Sequence, residues 1–150
     1  MALPTSIDLQ VVTPERMLVR EQVDEVQVPG VSGYFGVLPG HTPLLAALSV
    51  GELWYRKGQE KTSLSIVYGF AEVLPDRVTI LAQLAEHPDD IDVERAEAAR
   101  KRAAERLDQK GDVDFERARI ALMKSLTRLQ VASRIASGAG PRLTRVRREG

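Results

Sequence analysis

The side chains most often used for acid–base and metal chemistry are scarce in this sequence. Its 150 residues include no cysteine and only two histidines, His41 and His87. This composition excludes thiolate nucleophiles, disulfides and cysteine-ligated zinc, and a three-histidine metal site is impossible. A Ser–His–Asp arrangement would have only these two histidines as candidate bases. The sequence therefore offers little catalytic chemistry of its own.

Each histidine has a simple structural interpretation. His41 lies in the turn Leu38-Pro39-Gly40-His41-Thr42-Pro43 without a neighbouring nucleophile motif. A loop histidine bonded to backbone is therefore favoured over a general base. His87 precedes Pro88 where the character of the sequence changes, and we expect it to be solvated. A hydrolase that uses His41 is an alternative, which turnover by the isolated chain would test.

Motifs for phosphate and calcium binding are incomplete. Gly33-Tyr34-Phe35-Gly36 is too short for a phosphate loop and is not followed by a helical pattern. Asp89-Asp90-Ile91-Asp92 lacks the glycine and the distal glutamate of a calcium loop. The start of a helix is the simpler interpretation of these aspartates, and we expect no metal site.

The formal net charge is zero, but the two parts of the chain differ in charge. Residues 1–87 carry 6 Lys and Arg against 10 Asp and Glu, whereas residues 88–150 carry 15 against 11. Such asymmetry predicts two modules with different partners. No apolar run approaches the roughly 20 residues of a membrane span. The first residues lack the basic and apolar regions of a signal peptide, and with no cysteine present a cytoplasmic-type compartment is expected.

Residues 1–87 have the pattern of short β-strands. Apolar and polar residues alternate in runs such as residues 7–11 and 78–85. Turn-forming pairs, including Pro29-Gly30, Pro39-Gly40 and Lys57-Gly58, separate these runs. Short strands, frequent turns and no helical stretch predict an antiparallel β-sandwich or barrel.

Residues 88–136 have helical periodicity and predict an antiparallel helical hairpin. Asp92 is the expected N-cap of the first helix, in which Ala96, Ala99 and Ala103 form a stripe of small residues. Gly111 should end this helix, and Asp112 or Asp114 should start the next. The second helix is expected to bury one face, which consists of Phe115, Ala118, Leu122, Leu126 and Leu129. The predicted fold class is therefore α+β, an antiparallel β-sandwich followed by a helical hairpin.

The residues after the second helix have a different composition. Ser137-Gly138-Ala139-Gly140-Pro141 should break the helix. Residues 142–150 contain four arginines and one glutamate. We therefore predict that residues 137–150 form a disordered basic tail that could contact an acidic surface.

Three segments resemble the epsilon subunit of the F-type ATP synthase, bacterial forms above all. Residues 33–45, GYFGVLPGHTPLL, are similar to the family signature G-x-x-G-x-L-P-G-H-x-P-L. Residues 68–73, YGFAEV, are similar to a G-G-x-x-E-V strand, with Tyr68 at the first glycine. Residues 91–96, IDVERA, are similar to the I/L-D-x-x-R-A motif that opens the helical hairpin. The resemblance spans residues 5 to 135, and Tyr34 stands where an acidic residue is frequent.

The resemblance implies a non-catalytic subunit of the rotor, or central stalk. The sandwich would bind the gamma subunit and the ring of c subunits, coupling proton flow to ATP synthesis. The hairpin would inhibit ATP hydrolysis when it extends towards the alpha and beta subunits. The implied location is peripheral, on the cytoplasmic face of the bacterial inner membrane, without a nucleic-acid partner or a required cofactor. Candidate partner-binding residues are Gly36, Leu38, Pro39, Gly40, His41 and Pro43.

In some bacterial members of this family, ATP is a regulatory ligand of the hairpin. The matching positions in this chain are Glu86, Ile91, Asp92, Arg95, Ala96 and Arg102, with Lys124 and Arg128 on the second helix. Arg95 and Arg102 are seven residues apart and share one helix side. Lys124 stands where an arginine is often found, and a lysine cannot form the same bidentate bond. The alternative is structural: Asp92 caps the helix, and Arg95 is simply solvated.

A free-standing binding adaptor is the second functional class that fits this sequence. A sandwich with a helical hairpin could bind partner helices without belonging to an ATPase. Co-purification with a membrane ATPase would separate these hypotheses. The signature at residues 38–41 favours the rotor subunit.

Overall fold

The structure is a computed structural model that describes residues 3–109 and 114–136. Seven strands precede two helices, and a single 3-10 turn at Pro88–Asp90 joins the two parts. The strands are β1 Ile7–Val12, β2 Met17–Val23, β3 Glu25–Gly30, β4 Gly33–Val37, β5 Leu44–Lys57, β6 Glu60–Val73 and β7 Arg77–Glu86. The helices are α1 Val93–Asp108 and α2 Phe115–Ala136. The predicted fold class, a β-sandwich followed by a helical hairpin, is confirmed.

The strands form a sheet in the order β2-β1-β7-β6-β5-β3-β4. Contacts between β2 and β5, which are not neighbours in this order, show that the sheet folds over its own core. The pairing differs from the antiparallel prediction at β1 and β7, which are parallel, with Asp8 beside Arg77 and Val12 beside Leu81. Five strands separate these two in the chain, so no tight turn forces them to run in opposite directions.

Strand β6 changes which of its residues face the core. Leu64 and Ile66 are core residues in its first half, and Ala71 and Val73 are core residues in its second half. Since strand side chains alternate, this change from even to odd positions requires one extra residue. Tyr68 is that residue, and its φ of 52° lies in the left-handed region.

In β5 and β7, the two strands beside β6, the positions that face the core also change, at the level of Tyr68. In β5 the core residues shift from Leu48 to Leu53, and in β7 they shift from Ala82 to Ala85. The register pairs Leu48 with Gly69 and Gly69 with Ala82, which leaves Ser49, Tyr68 and Gln83 side by side. The three strands therefore change sides along one line, which we call the bend, and this line divides the outer face of the sheet into two halves.

Capping aspartates position both helices of the hairpin. The Asp92 carboxylate accepts a hydrogen bond from the Arg95 backbone N–H at 3.1 Å, which confirms the predicted N-cap. The Asp114 carboxylate accepts one from the Arg117 N–H, also at 3.1 Å, so Asp114 rather than Asp112 caps α2. Helix α1 ends at Asp108, with Gln109 as its C-cap in extended backbone, and therefore stops before the predicted end at Gly111. Gly111 and Asp112 themselves, and the basic tail, lie outside the described residues.

The buried face of α2 differs from the predicted stripe. Phe115 and Leu126 are 60% and 48% exposed. Ala118 of the predicted stripe is buried as expected, and Ser125 and Val131, which the stripe did not include, are buried as well. The reason is that α2 packs against two neighbours, α1 and the sheet. Its buried face therefore follows small and polar residues that a search for large apolar side chains overlooks.

Candidate functional site

Two ion pairs join α2 to the outer face of the sheet. Arg128 contacts Glu86 at the end of β7, with Nε 2.8 Å from Oε1 and Nη2 donating to Oε2 at 3.0 Å. Arg134 contacts Glu52 in β5, with Nε and Nη2 each donating to one carboxylate oxygen at 3.0 Å. We call this surface the dock, defined by Glu52 and Glu86 on the sheet and by Arg128, Val131 and Arg134 on α2.

The spacing of the dock follows from standard helix and sheet geometry. The register aligns Glu52, Ser65 and Glu86 in one row across β5, β6 and β7. Two strand intervals span about 9.6 Å, and six helical residues rise about 9 Å. The distance along α2 from Arg128 to Arg134 therefore matches the distance across the strands from Glu86 to Glu52. Val131, fully buried, lies midway, with each arginine about 60° to one side around the helix.

Small side chains on β6 allow α2 to approach the sheet closely. Ser63 and Ser65 face outward from β6 and are buried, whereas Leu64 and Ile66 face the core between them. Every residue from Thr62 to Val67 is therefore buried, on one side or the other. A strand with both faces covered is typical beneath a packed helix.

Glu52 is held as a carboxylate although it is buried. Its residue is 5% exposed, and the Ser63 hydroxyl donates to Oε1 at 2.7 Å. Burial alone would raise the pKa of Glu52, but hydrogen bonds from Arg134 and Ser63 and the charges of Arg134 and Lys61 together lower it below its usual value. A stable negative charge therefore lies beneath the last turns of α2.

The connection between sheet and hairpin carries a further ion pair and a histidine. Arg16, just before β2, contacts Asp90 of the 3-10 turn at 3.2 Å. His87 was expected to be solvated, but it is partly buried, and its Nδ1 is enclosed without a hydrogen-bond partner among the described residues. Burial lowers the pKa of His87, and the nearby Asp90 offsets this only in part. The expectation fails because the 3-10 turn packs against α2 and β6 and is tied to Arg16 by the ion pair of Asp90, which covers the chain around His87.

The signature loop between β4 and β5 is tied to the β6–β7 turn. The Gly40 N–H donates to the Pro75 carbonyl at 2.7 Å, and Gly40 has a φ of +86° that favours glycine. The His41 ring donates from Nδ1 to the Thr42 carbonyl at 2.6 Å, as expected for a loop histidine bonded to backbone. This loop holds Leu38 exposed at the rim of the sandwich.

The dock lies on one half of the outer face of the sheet. An apolar row crosses the other half, on the far side of the bend. The register aligns Ala47, Phe70, Leu81 and Val12 across β5, β6, β7 and β1. Phe70 and Leu81 are 58% and 54% exposed. A contiguous apolar strip of this kind is typical of a protein–protein contact surface. We call these four residues the apolar row.

Sequence comparison with known families matches both parts of the chain. Residues 6–88 match the model of the ATP synthase delta/epsilon chain β-sandwich domain, and residues 89–133 match that of its long α-helix domain.

The chain belongs to the ATP synthase delta/epsilon chain family.

Similar proteins agree with this assignment. The ATP synthase epsilon chain of Syntrophobacter fumaroxidans is 52% identical over 129 residues, which cover 85% of this chain and 96% of that protein. The epsilon chain of Nitratidesulfovibrio vulgaris is 46% identical over 127 residues, covering 84% and 95%. Among solved structures, a chain of the Euglena gracilis mitochondrial ATP synthase matches with a TM-score of 0.67 and 22% identity, covering 92% of this chain and 84% of that one. At that identity, the structural match supports the fold. The predicted resemblance to the epsilon subunit is confirmed.

The predicted nucleotide residues of this epsilon-type chain are distributed over the end of β7, the 3-10 turn and both helices of the hairpin. Glu86 ends β7, Ile91 and Ala96 are buried, and Asp92 caps α1. Arg95 and Arg102 are exposed on α1, and Lys124 is partly buried on α2. The structure brings Glu86 and Arg128 into direct contact. In the parts of the chain that the structure describes, neither the Arg95 nor the Arg102 side chain forms a hydrogen bond or ion pair with the other predicted residues, and only the Arg95 backbone bonds to Asp92.

Sequence reasoning missed Glu52, Arg134, Val131 and the apolar row. Glu52 and Arg134 are separated by 82 positions, so no local pattern connects them. The available signal was a single carboxylate in the otherwise uncharged stretch from Leu44 to Tyr55. A charge surrounded by apolar strand residues is uncommon unless it has a buried partner.

Within residues 3–109 and 114–136, no helix is both long and apolar enough to cross a membrane. Within the same residues, no group of three or more His, Asp or Glu side chains is arranged to hold a metal ion.

Proposed function

We propose that this chain is the epsilon subunit of the central stalk of an F-type ATP synthase and has no catalytic role of its own. The observation that carries the proposal is a helical hairpin docked through separable polar contacts on the sandwich of an epsilon-family chain. The hydrolytic chemistry would belong to other subunits. The complex would hold this chain at the cytoplasmic face of the bacterial inner membrane.

The sandwich would bind the gamma subunit and the c-ring through two neighbouring surfaces. The first is the signature loop, with Gly36, Leu38, Pro39, Gly40, His41 and Pro43. Its hydrogen bond to Pro75 holds Leu38 at the rim. The second is the apolar row, which offers Phe70 and Leu81 to an apolar partner surface. We assign the apolar row to the gamma subunit, because a stable stalk contact needs apolar area that stays buried during rotation.

The hairpin would inhibit ATP hydrolysis after it leaves the dock and extends towards the alpha and beta subunits. Two ion pairs hold it on the sheet, and their charged groups would be solvated after release, which suits two states that differ by only a few kcal/mol. Residues 88–150 carry four more basic than acidic residues, a charge that suits an acidic surface on the catalytic head.

Deletion of residues 88–150 in the assembled enzyme tests this proposal. ATP hydrolysis should rise, while proton-driven synthesis should be largely retained. A shorter deletion of residues 141–150 is the control and should have a smaller effect. Unchanged hydrolysis after the full deletion would show that the hairpin does not inhibit here. Failure of the full-length chain to co-purify with the ATPase would instead refute the stalk role and favour an adaptor.

We further propose that ATP binds at the junction of the sheet and the hairpin through Glu86, Asp92, Arg95, Arg102 and Arg128, and that it favours the docked hairpin. Ile91, Ala96 and Lys124 complete the proposed site. Support comes from the position of Arg128, which already lies at the junction of β7 and α2 next to Glu86. Phosphate groups would need to share this guanidinium with Glu86, which predicts weak to moderate affinity.

Calorimetry on the isolated chain tests nucleotide binding. Arg95→Ala should weaken ATP binding by about tenfold to a hundredfold, the loss expected for a charged hydrogen bond. Arg119→Ala is a matched control, since Arg119 pairs with Glu116 within α2. No heat at millimolar ATP, with the fold confirmed by circular dichroism, would leave Asp92 and Arg95 with structural roles alone.

A further inference from the structure

Glu52 is buried because α2 covers it. Glu52 lies on the outer face of β5. On the same face of this strand, on the other side of the bend, Leu45 is not covered by a helix and is 72% exposed. The Glu52 side chain is only 6% exposed beneath the last turns of α2. If the hairpin leaves the dock, Glu52 returns to water and keeps Ser63 as its neighbour. The environment of this carboxylate is therefore coupled directly to the position of the hairpin.

The two ion pairs of the dock differ in how deeply they are buried. In the pair between Arg128 and Glu86, both side chains are about a quarter exposed, at 24% and 28%. In the pair between Arg134 and Glu52, the arginine is 41% exposed and the glutamate 6%. Removing the partner of a buried charge is strongly destabilising, because that charge is left uncompensated. A partly solvated charge keeps its contact with water, so the loss of its partner matters less. Loss of Arg134 should therefore affect docking more than loss of Arg128.

We propose that Glu52 and Arg134 form a latch that sets the fraction of chains in which the hairpin is docked. The bidentate contact is favourable only when α2 lies across β5. Without Arg134, the docked state would keep a carboxylate out of water with only a serine hydroxyl to bond it. The docked state would then be disfavoured relative to the undocked one. That the latch also regulates ATP hydrolysis rests on the proposed function, but the docking equilibrium itself does not.

The full-length isolated chain allows a direct measurement of this equilibrium. Because the sequence contains no cysteine, Gln59→Cys and Gln130→Cys provide two unique attachment sites for spin labels. Both positions are exposed, one on the β5–β6 turn and the other on α2. Distances between the labels from double electron–electron resonance report the docked and undocked populations.

Two variants break the latch from opposite sides. Glu52→Gln removes the buried charge and keeps the side-chain size, and Arg134→Gln removes the more exposed partner. Arg134→Gln leaves the buried charge of Glu52 without its partner and should lower the ratio of docked to undocked chains by about tenfold to a hundredfold. Glu52→Gln leaves only a partly exposed arginine and should lower the ratio less. Glu72→Gln and Arg119→Gln are charge-matched controls at exposed positions away from the dock and should leave the distances unchanged. Circular dichroism establishes that each variant is folded.

The double variant tests whether the two residues act as a unit. Its effect should be clearly smaller than the sum of the two single effects, since either substitution alone already breaks the contact. Should Glu52→Gln fail to fold, Arg134→Gln still decides the question, because it leaves the sandwich sequence intact. Unchanged distances in Arg134→Gln would overturn the latch, and so would additive effects in the double variant. A shifted distance distribution with normal ATP hydrolysis in the assembled enzyme would support the latch but refute its regulatory role.

Discussion

Gly69 is the position where this fold should tolerate a side chain least. It lies beside Tyr68 on the bend, and its φ of +134° is one that L-residues rarely adopt. A Cβ atom at Gly69 would lie 1.9 Å from the Leu81 carbonyl oxygen and 2.9 Å from the Ala82 Cα. Both neighbours are backbone atoms of β7, which cannot rotate away as a flexible side chain would. Steric exclusion by the β7 backbone therefore explains why a glycine occupies this position of the Y-G-F-A-E-V segment.

The cost of Gly69→Ala can be built from two contributions. The backbone strain of a side chain at this φ is about 1–3 kcal/mol. Moving β7 away from the new methyl group would also disrupt about two ladder hydrogen bonds, at about 1 kcal/mol each. The expected loss is then about 3–5 kcal/mol, a large part of the 5–15 kcal/mol typical of a domain.

Urea unfolding of the full chain, followed by circular dichroism in the β-sheet region, measures this loss. Gly36→Ala is a matched control from the same sandwich, because a Cβ at Gly36 would meet no atom within 4 Å and no positive φ is involved. That control should change the free energy of unfolding by less than about 0.5 kcal/mol. If Gly69→Ala were as stable as Gly36→Ala, the inferred close contact between β6 and β7 at the bend would be wrong.

Three further predictions concern the hairpin and its connection. Val131→Ala should destabilise the docked hairpin by about 1.5–2.5 kcal/mol through lost burial, whereas Leu126→Ala, already half exposed, should cost less than half of that in a thermal melt. Asp92→Ala should lower the stability of α1 by about 1 kcal/mol, seen as faster amide exchange in its first turn, and unchanged exchange would argue against the cap. Because burial lowers the pKa of His87 below its ordinary value of 6.5, the unfolded chain binds the proton more readily and stability should fall as the pH drops below about 6.5. His87→Gln should flatten this dependence in urea titrations between pH 7 and pH 5, and an identical slope would contradict the assignment.

Local sequence patterns were sufficient for the class of fold and for the helix starts. The short alternating runs, the turn pairs and the Asp92 cap each depend on residues within a few positions of one another. The extra residue at Tyr68 was harder to recognise, because an apolar run from Leu64 to Leu74 hides a change of side. Only the register with β5 and β7 reveals that Leu64 and Ala71 face the same core.

The dock could not be predicted from the sequence for a different reason. Its contacts join residues far apart in the chain, and they depend on the angle at which α2 crosses the sheet. Large apolar residues suggested a face for α2 that included Phe115 and Leu126, both exposed in the structure. The helix also buries Ser125 and Val131, and buried serines on β6 leave room for α2 to pack on the sheet. The residue pattern within α2 does not show that this helix packs against the sheet as well as against α1.

The match between α2 and the row of Glu52, Ser65 and Glu86 also constrains how this chain can vary in length. The separation of the two carboxylates is set by the hydrogen bonds between strands, which no substitution can lengthen. The six residue steps from Arg128 to Arg134 must therefore keep the same length as two strand intervals of the sheet. One residue inserted between Arg128 and Arg134 would turn the second arginine by about 100° and carry it about 1.5 Å too far. Between these two positions, substitutions at residues other than Val131 should be common across related chains, and insertions or deletions should be rare.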